Sequence, residues 1–185
     1  RCVGGGTVIN GEGLFRTPKK ILEEWRLEHG LEGYSFSELE KHFETIEKDL
    51  NVEATSILKE EKTNLDSHKL IKGASGLNWR TEFVPRAAKN CNYTNSCSIG
   101  CPTGAKQSTL VSYLPRALKA GARIFSDCCV VKVNHSKGSA KNVIAEITNN
   151  DKKQKIEVSF DHLIISAGAI QTPHLLKKSR MAKNA

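Results

Sequence analysis

The sequence predicts a mixed α/β (α+β) chain, helix-rich in its first half, with a three-stranded β-meander that runs into a final helix. Three observations carry that expectation. Leu39, Phe43, Ile46 and Leu50 recur at i, i+4, i+7 and i+11, the spacing of one helix face. Three strand-like runs, Ala122 to Val133, Val143 to Thr148 and Lys155 to Ile165, are separated by the turn formers Ser136-Lys137-Gly138 and Asn149-Asn150-Asp151. The last run leads through Ser166-Ala167-Gly168-Ala169 into Thr172-Pro173, the form of a helix start.

In chain order, Gly4 to Gly13 holds five glycines in ten residues and reads as a loop made for close backbone approach. Thr17-Pro18 starts a helix, with Thr17 as N-cap, Ile21, Leu22 and Trp25 on its apolar face and Gly30 as its stop. Ser37-Glu38-Leu39-Glu40 has capping-box spacing ahead of the Leu39 to Leu50 helix. Residues 52–90 are polar and irregular, with a short helix near Leu65 to Ile71 closed by Gly73 and Gly76. Leu110, Tyr113, Leu114, Ala117 and Leu118 share the face of a further helix that ends at Gly121.

Composition excludes several classes. The 185 residues suit one domain or slightly more, and 38% hydrophobic with 26% charged residues is a globular balance. No stretch approaches the roughly 20 apolar residues of a membrane-spanning helix. The net charge of +8 comes from scattered lysines without interleaved aromatics, so it reads as a solvated basic surface with no nucleic-acid partner. The chain opens on Arg1, without a signal-peptide pattern, and runs at once into glycines that no strand precedes. We read it as an internal piece of a longer protein, with any targeting segment ahead of Arg1. Reduced thiols needed at assembly favour a cytoplasmic location, with periplasmic or membrane-associated placement as the alternatives.

Two segments have a form that suits cofactor chemistry, although each read alone is more often structural, a flexible glycine turn in the first and tight packing of strand against helix in the second. In Gly4-Gly5-Gly6-Thr7-Val8-Ile9-Asn10, backbone N–H groups converge on an anion without side-chain obstruction, Thr7 adds a hydroxyl and Asn10 an amide. No Gly-Lys-Ser/Thr follows, so it is not a P-loop. In the second, the apolar run Leu163-Ile164-Ile165 reads as a buried strand that enters Ser166-Ala167-Gly168 and a helix N-terminus, a way to bring backbone against a nucleotide. Between them, Cys91, Cys97 and Cys101 have C-x5-C-x3-C-P spacing. Three thiolates suit an iron–sulfur cluster, a zinc site would need a fourth ligand, and thiols with a structural or disulfide role are the third alternative. Cys128 and Cys129 read as small core residues of a strand.

The two glycine-containing segments together, in order and spacing, resemble the glucose–methanol–choline (GMC) family of flavoprotein oxidoreductases. The family's first signature is matched by Arg1, Gly4 to Thr7 and Asn10, with Arg16 and Trp25 following. Its second is matched by Gly168, Ala169, Thr172, Pro173, Leu175, Leu176 and Ser179, but Arg180 stands where the family has glycine. Val130, in Val130-Val131-Lys132-Val133, corresponds to the valine whose backbone meets the adenine of FAD.

The resemblance implies a fragment of a Rossmann-like FAD-binding domain with part of the cap or substrate region. Residues 1–30 and 116–185 would belong to the FAD domain, and 31–115 to the cap region with the cysteines. FAD would be held by Gly4, Gly5, Gly6, Thr7, Asn10, Val130, Ala167 and Gly168. The complete protein would take hydride from an alcohol or sugar carbon to flavin. No catalytic residue is assigned, because none of the six histidines occupies the family's catalytic position, and the segment is not expected to turn over substrate alone. One subset of the family carries an iron–sulfur cluster beside FAD and passes electrons to an acceptor protein, which implies Cys91, Cys97 and Cys101 as its ligands here. The competing reading is an iron–sulfur electron-transfer or metal-binding module centred on those three cysteines.

Overall fold

A computed structural model of the chain describes residues 2–53, 65–149 and 152–181. Residues 54–64 of the expected irregular stretch, and the turn residues Asn150 and Asp151, lie outside the described residues. The architecture is the mixed α/β class expected, and its contacts divide the chain into two compact units, Arg1–Ala122 and Arg123–Ala185.

The first unit begins with a single helical turn, α1 (Gly6–Ile9), and continues through α2 (Lys19–His29) and α3 (Phe36–Asp49). Pro18 rather than Thr17 is the cap of α2, since its carbonyl accepts the first helical N–H groups, from Ile21 and Leu22. Leu22 is buried, and Gly30 closes the helix in the left-handed conformation. For α3 the capping box is Ser35 with Glu38, not Ser37 with Glu40. Both spacings are present in the sequence. The earlier start draws Phe36 into the helix, where its ring lies 6.1 Å from that of Phe43, and leaves Glu40 to face Arg16. Arg16 also forms a two-pronged ion pair with Glu47 at 2.7 and 2.6 Å, tying the segment after the glycine turn to α3.

A two-residue ladder pairs β1 (Val52–Glu53) with β2 (Arg86–Ala87), and α4 (Leu65–Gly76) runs on through Gly73 instead of stopping there. The backbone from Pro85 to Lys89 is the centre of this unit. Leu14 N–H donates to Pro85 O, Ala87 N–H to Glu12 O, Gln107 N–H to Ala87 O and Lys89 N–H to Ala105 O. Ala87, Ala88 and Ala105 are all buried, and their small side chains let three backbone segments lie this close. A ladder this short has no readable periodicity, which is why the sequence offers no sign of it. α5 (Tyr113–Lys119) ends the unit.

The second unit is an antiparallel meander of β3 (Cys128–Ser136), β4 (Ser139–Asn149) and β5 (Lys152–Ser159), followed by α6 (Gly168–Lys178). Lys137 and Gly138 both have positive φ, the two-residue hairpin geometry that suits twisted strands. Val133, Val143 and Leu175 form the core, with Leu163 and Ile165 packed on it.

Three expectations are corrected here. Residues 160–167 are an extended segment outside the sheet rather than a buried strand: Leu163 and Ile165 turn inward, but Ile164 is 87% exposed. The helix starts at Gly168, so Pro173 lies inside it, and Thr172 instead accepts the Ala167 N–H on its hydroxyl. Cys129 is exposed and Cys128 only half-buried, so neither is a core residue.

Arg180 explains its own departure from the signature. Arg180 N–H donates to Lys177 O and Met181 N–H to Leu176 O, the paired bonds of a Schellman ending, with Arg180 at φ 59 in the position that favours glycine. Arg180→Gly should therefore stabilise this unit by about 1 kcal/mol, the cost of a left-handed non-glycine residue. An unchanged or lower denaturation midpoint would count against that assignment.

Candidate functional site

The glycine turn is shaped by its own backbone and braced from behind. Gly4 and Gly5 have φ of 90 and 55, and Gly5 N–H donates to Cys2 O at 3.0 Å. A Cβ at Gly4 would stand 2.6 Å from Val8 Cγ2 and 3.1 Å from Leu110 Cβ, so only glycine fits there. At Gly5 and Gly6 the same test meets nothing within 4 Å, so their backbone is bare on the outer side. This is the one respect in which the turn can be matched to a phosphate-bearing cofactor, and it fits: on that side a group approaching Gly5 and Gly6 meets backbone and no side chain, although the Gly5 N–H itself is turned to Cys2 O.

The bracing comes from Gly104 to Thr109. Thr109 N–H donates to Thr7 Oγ1 at 3.1 Å, and the hydroxyls of Thr7 and Thr109 both donate to Gly4 O. At the far end of the turn, the Lys106 ammonium donates to Asn10 O at 2.7 Å and to Cys97 O at 3.1 Å. Asn10 uses the oxygen of its side-chain amide to accept Glu12 N–H. These partners lie 96 to 105 residues from the turn, so neither Lys106 nor Thr109 was legible as part of it.

Beneath the turn sits a polar cluster. Glu12 is 4% exposed, and the Cys97 thiol lies against its carboxylate. Arg86 Nη1 donates to Cys97 Sγ at 3.4 Å. Glu12 Oε2 and Arg86 Nε are buried without a hydrogen-bond partner among the described residues. Burial pushes the Cys97 thiol up, and the hydrogen bond and negative charge of Glu12 push it further, against the opposing pull of Arg86. Cys101 differs. Burial raises it too, but hydrogen bonds from the Thr103 hydroxyl and from the backbone N–H groups of Lys106, Ala105 and Thr103 outweigh that and hold it below the ordinary thiol range.

The sequence profile of the GMC oxidoreductases matches residues 1–185, the whole chain. The chain belongs to the GMC oxidoreductase family. It is 32% identical to an uncharacterized GMC-type oxidoreductase of Sinorhizobium fredii over 99% of this chain and 36% of that protein. It is 34% identical to one of Mycobacterium tuberculosis over 97% of this chain and 28% of that protein. Against a long-chain-alcohol oxidase of Arabidopsis thaliana it is 29% identical, over 96% of this chain and 24% of the relative. The chain thus spans 24–36% of the length of these relatives.

The remaining residues of the expected FAD site lie in the second unit. Val130 pairs with Ala145 on β3, an edge strand of the meander, next to a register shift at Val131. Ala167 caps α6, and Gly168 opens it at φ 88 with no atom within 4 Å of a would-be Cβ.

The metal expectation finds no support in the arrangement of the described residues. Among the described residues, no three Cys, His, Asp or Glu side chains come together as a group able to hold a metal ion. Left-handed residues at Asn90, Tyr93 and Asn95 turn the loop repeatedly, and the three thiols take separate partners. Cys91 Sγ accepts Tyr93 N–H, Cys97 faces Glu12 and Arg86, and Cys101 faces Thr103. A ligand set for an iron–sulfur cluster needs converging thiolates, and here Cys97 faces Glu12 and Arg86. The same contrast predicts selective chemistry: iodoacetamide should alkylate Cys101 well ahead of Cys97 in the folded protein at neutral pH, because the thiolate is the nucleophile. Mass spectrometry of the labelled peptides reads the order, and faster labelling of Cys97 would overturn it.

Proposed function

We propose that this chain is part of the cofactor-binding portion of a FAD-dependent oxidoreductase that acts on the CH–OH group of an alcohol. The observation that carries this reading is the family match across the whole chain, together with the bare backbone at Gly5 and Gly6 in a turn that tolerates no side chain at Gly4. The name of the Arabidopsis relatives favours an alcohol over a sugar as the small-molecule substrate.

FAD, when bound, supplies the ring that accepts a hydride. The chain's own part is to hold it. Gly5 and Gly6 would offer backbone to the pyrophosphate, and Asn10, whose amide oxygen is committed to Glu12, would offer its amide nitrogen as donor. For Val130, Ala167 and Gly168 the family resemblance is the sole support of a role toward the cofactor; within their own unit, Val130 lies on an edge strand and Gly168 has open space about it.

The test is an absorption spectrum of the full gene product, purified without air. The expected result is a two-banded flavin spectrum that bleaches on adding a long-chain primary alcohol. Bleaching by glucose alone would transfer the substrate to the sugar class. A folded, colourless full-length protein would sink the flavin reading.

A further inference from the structure

We propose that Lys106 and Thr109 are positioning residues, a clamp that holds the two ends of the Gly4–Asn10 turn in the shape that receives the cofactor; the inference rests on the flavin reading above. The two residues are three apart in sequence and grip carbonyls six apart. Thr109 holds Gly4 O directly and through Thr7, and Lys106 holds Asn10 O.

The lysine is the telling member. It is 8% exposed, and its ammonium donates to the carbonyls of Asn10 and Cys97. Burying an ammonium carries a large desolvation penalty that carbonyl dipoles offset only in part. An apolar side chain of the same length would fill the space without that penalty, so the position is explained by what the charge anchors. Its second bond, to Cys97 O, gives the cysteine loop a role that needs no metal: the loop is the post to which the turn is tied.

Pre-organisation is the physical gain. A run of three glycines loses more backbone freedom on ordering than any other sequence. Where the turn is already fixed in the free protein, the cofactor does not have to order it on binding. Removing either anchor therefore weakens binding even though neither side chain needs to touch the ligand.

The experiment compares Thr109→Val, Thr109→Ser and Lys106→Met with wild type in the full-length protein. Two readouts are taken: FAD affinity by titration of the apoprotein, and amide hydrogen exchange with no FAD present. Thr109→Val and Lys106→Met should raise the FAD dissociation constant about tenfold or more, and Thr109→Ser should stay within about threefold of wild type. Exchange across residues 4–11 should quicken in the first two while β3 to β5 keep their protection. Wild-type affinity in Thr109→Val, or unchanged exchange across the turn, overturns the clamp. Should Lys106→Met fail to fold, the Thr109 pair decides alone. Should wild type bind no FAD, the flavin reading and the clamp's role in it both fall; the exchange data then show whether the turn is nevertheless braced.

Discussion

Gly4→Ala is expected to destabilise the protein by about 2–5 kcal/mol, and Gly6→Ala to leave its stability unchanged or slightly raised. At Gly4 two penalties add. A left-handed φ of 90 costs a non-glycine residue about 1–2 kcal/mol, and a methyl 2.6 Å from Val8 Cγ2 and 3.1 Å from Leu110 Cβ adds about 1–3 kcal/mol of overpacking. At Gly6, which has no positive φ and no neighbour within 4 Å of the new methyl, alanine favours the helical turn.

The pair therefore separates architecture from cofactor binding. The Gly6 methyl would project into the space through which a phosphate must approach, so FAD affinity should fall about tenfold or more in a protein that still folds. Denaturant titration and FAD titration on the same samples measure both. A Gly6→Ala protein that binds FAD like wild type would show that the cofactor does not use this backbone. A Gly4→Ala protein of full stability would show that the turn is not shaped as described.

Leu175→Ala should cost about 2–4 kcal/mol in the second unit. Leu175 is the α6 member of a core whose other buried members are Val133 and Val143, and a core this small has little material with which to refill a cavity. The same contact is secured by a hydrogen bond. Ser179 is 3% exposed, and its hydroxyl accepts Val133 N–H at 2.8 Å. Ser179→Ala would leave that buried N–H without a partner, a loss of about 1–3 kcal/mol. Both variants should bring forward the denaturant midpoint and the exchange of β3 amides. A cost below about 1 kcal/mol for Leu175→Ala would mean that α6 is not what closes the meander core.

The Ser179 and Arg180 results show how a signature becomes physical. The serine caps a strand amide from the end of a helix, and the position after it is left-handed, so a glycine there is a backbone requirement that Arg180 meets under strain. The family signature was readable in the sequence, but its reason was not. The capping box of α3 was similarly half-legible: Ser35 and Ser37 offer the same spacing, and the tilted contact of the Phe36 and Phe43 rings accompanies the choice made. The apolar run at Leu163 to Ile165 misled because a strand is defined by its partners, and this segment lies outside the meander.

What the sequence determined by itself is what short-range rules govern: the mixed α/β class, the Lys137-Gly138 hairpin, and the glycine turn with the signatures that place the chain among GMC oxidoreductases. Periodicity and turn chemistry act over a few residues, so they can be read from a few residues. Only the tertiary structure decided that Lys106 and Thr109 hold the turn, that Glu12 and Arg86 flank Cys97, and that three cysteines within eleven residues take separate partners. These arrangements depend on which distant backbones the buried alanines allow to approach and on where left-handed residues aim a loop. Spacing along the chain does not encode either.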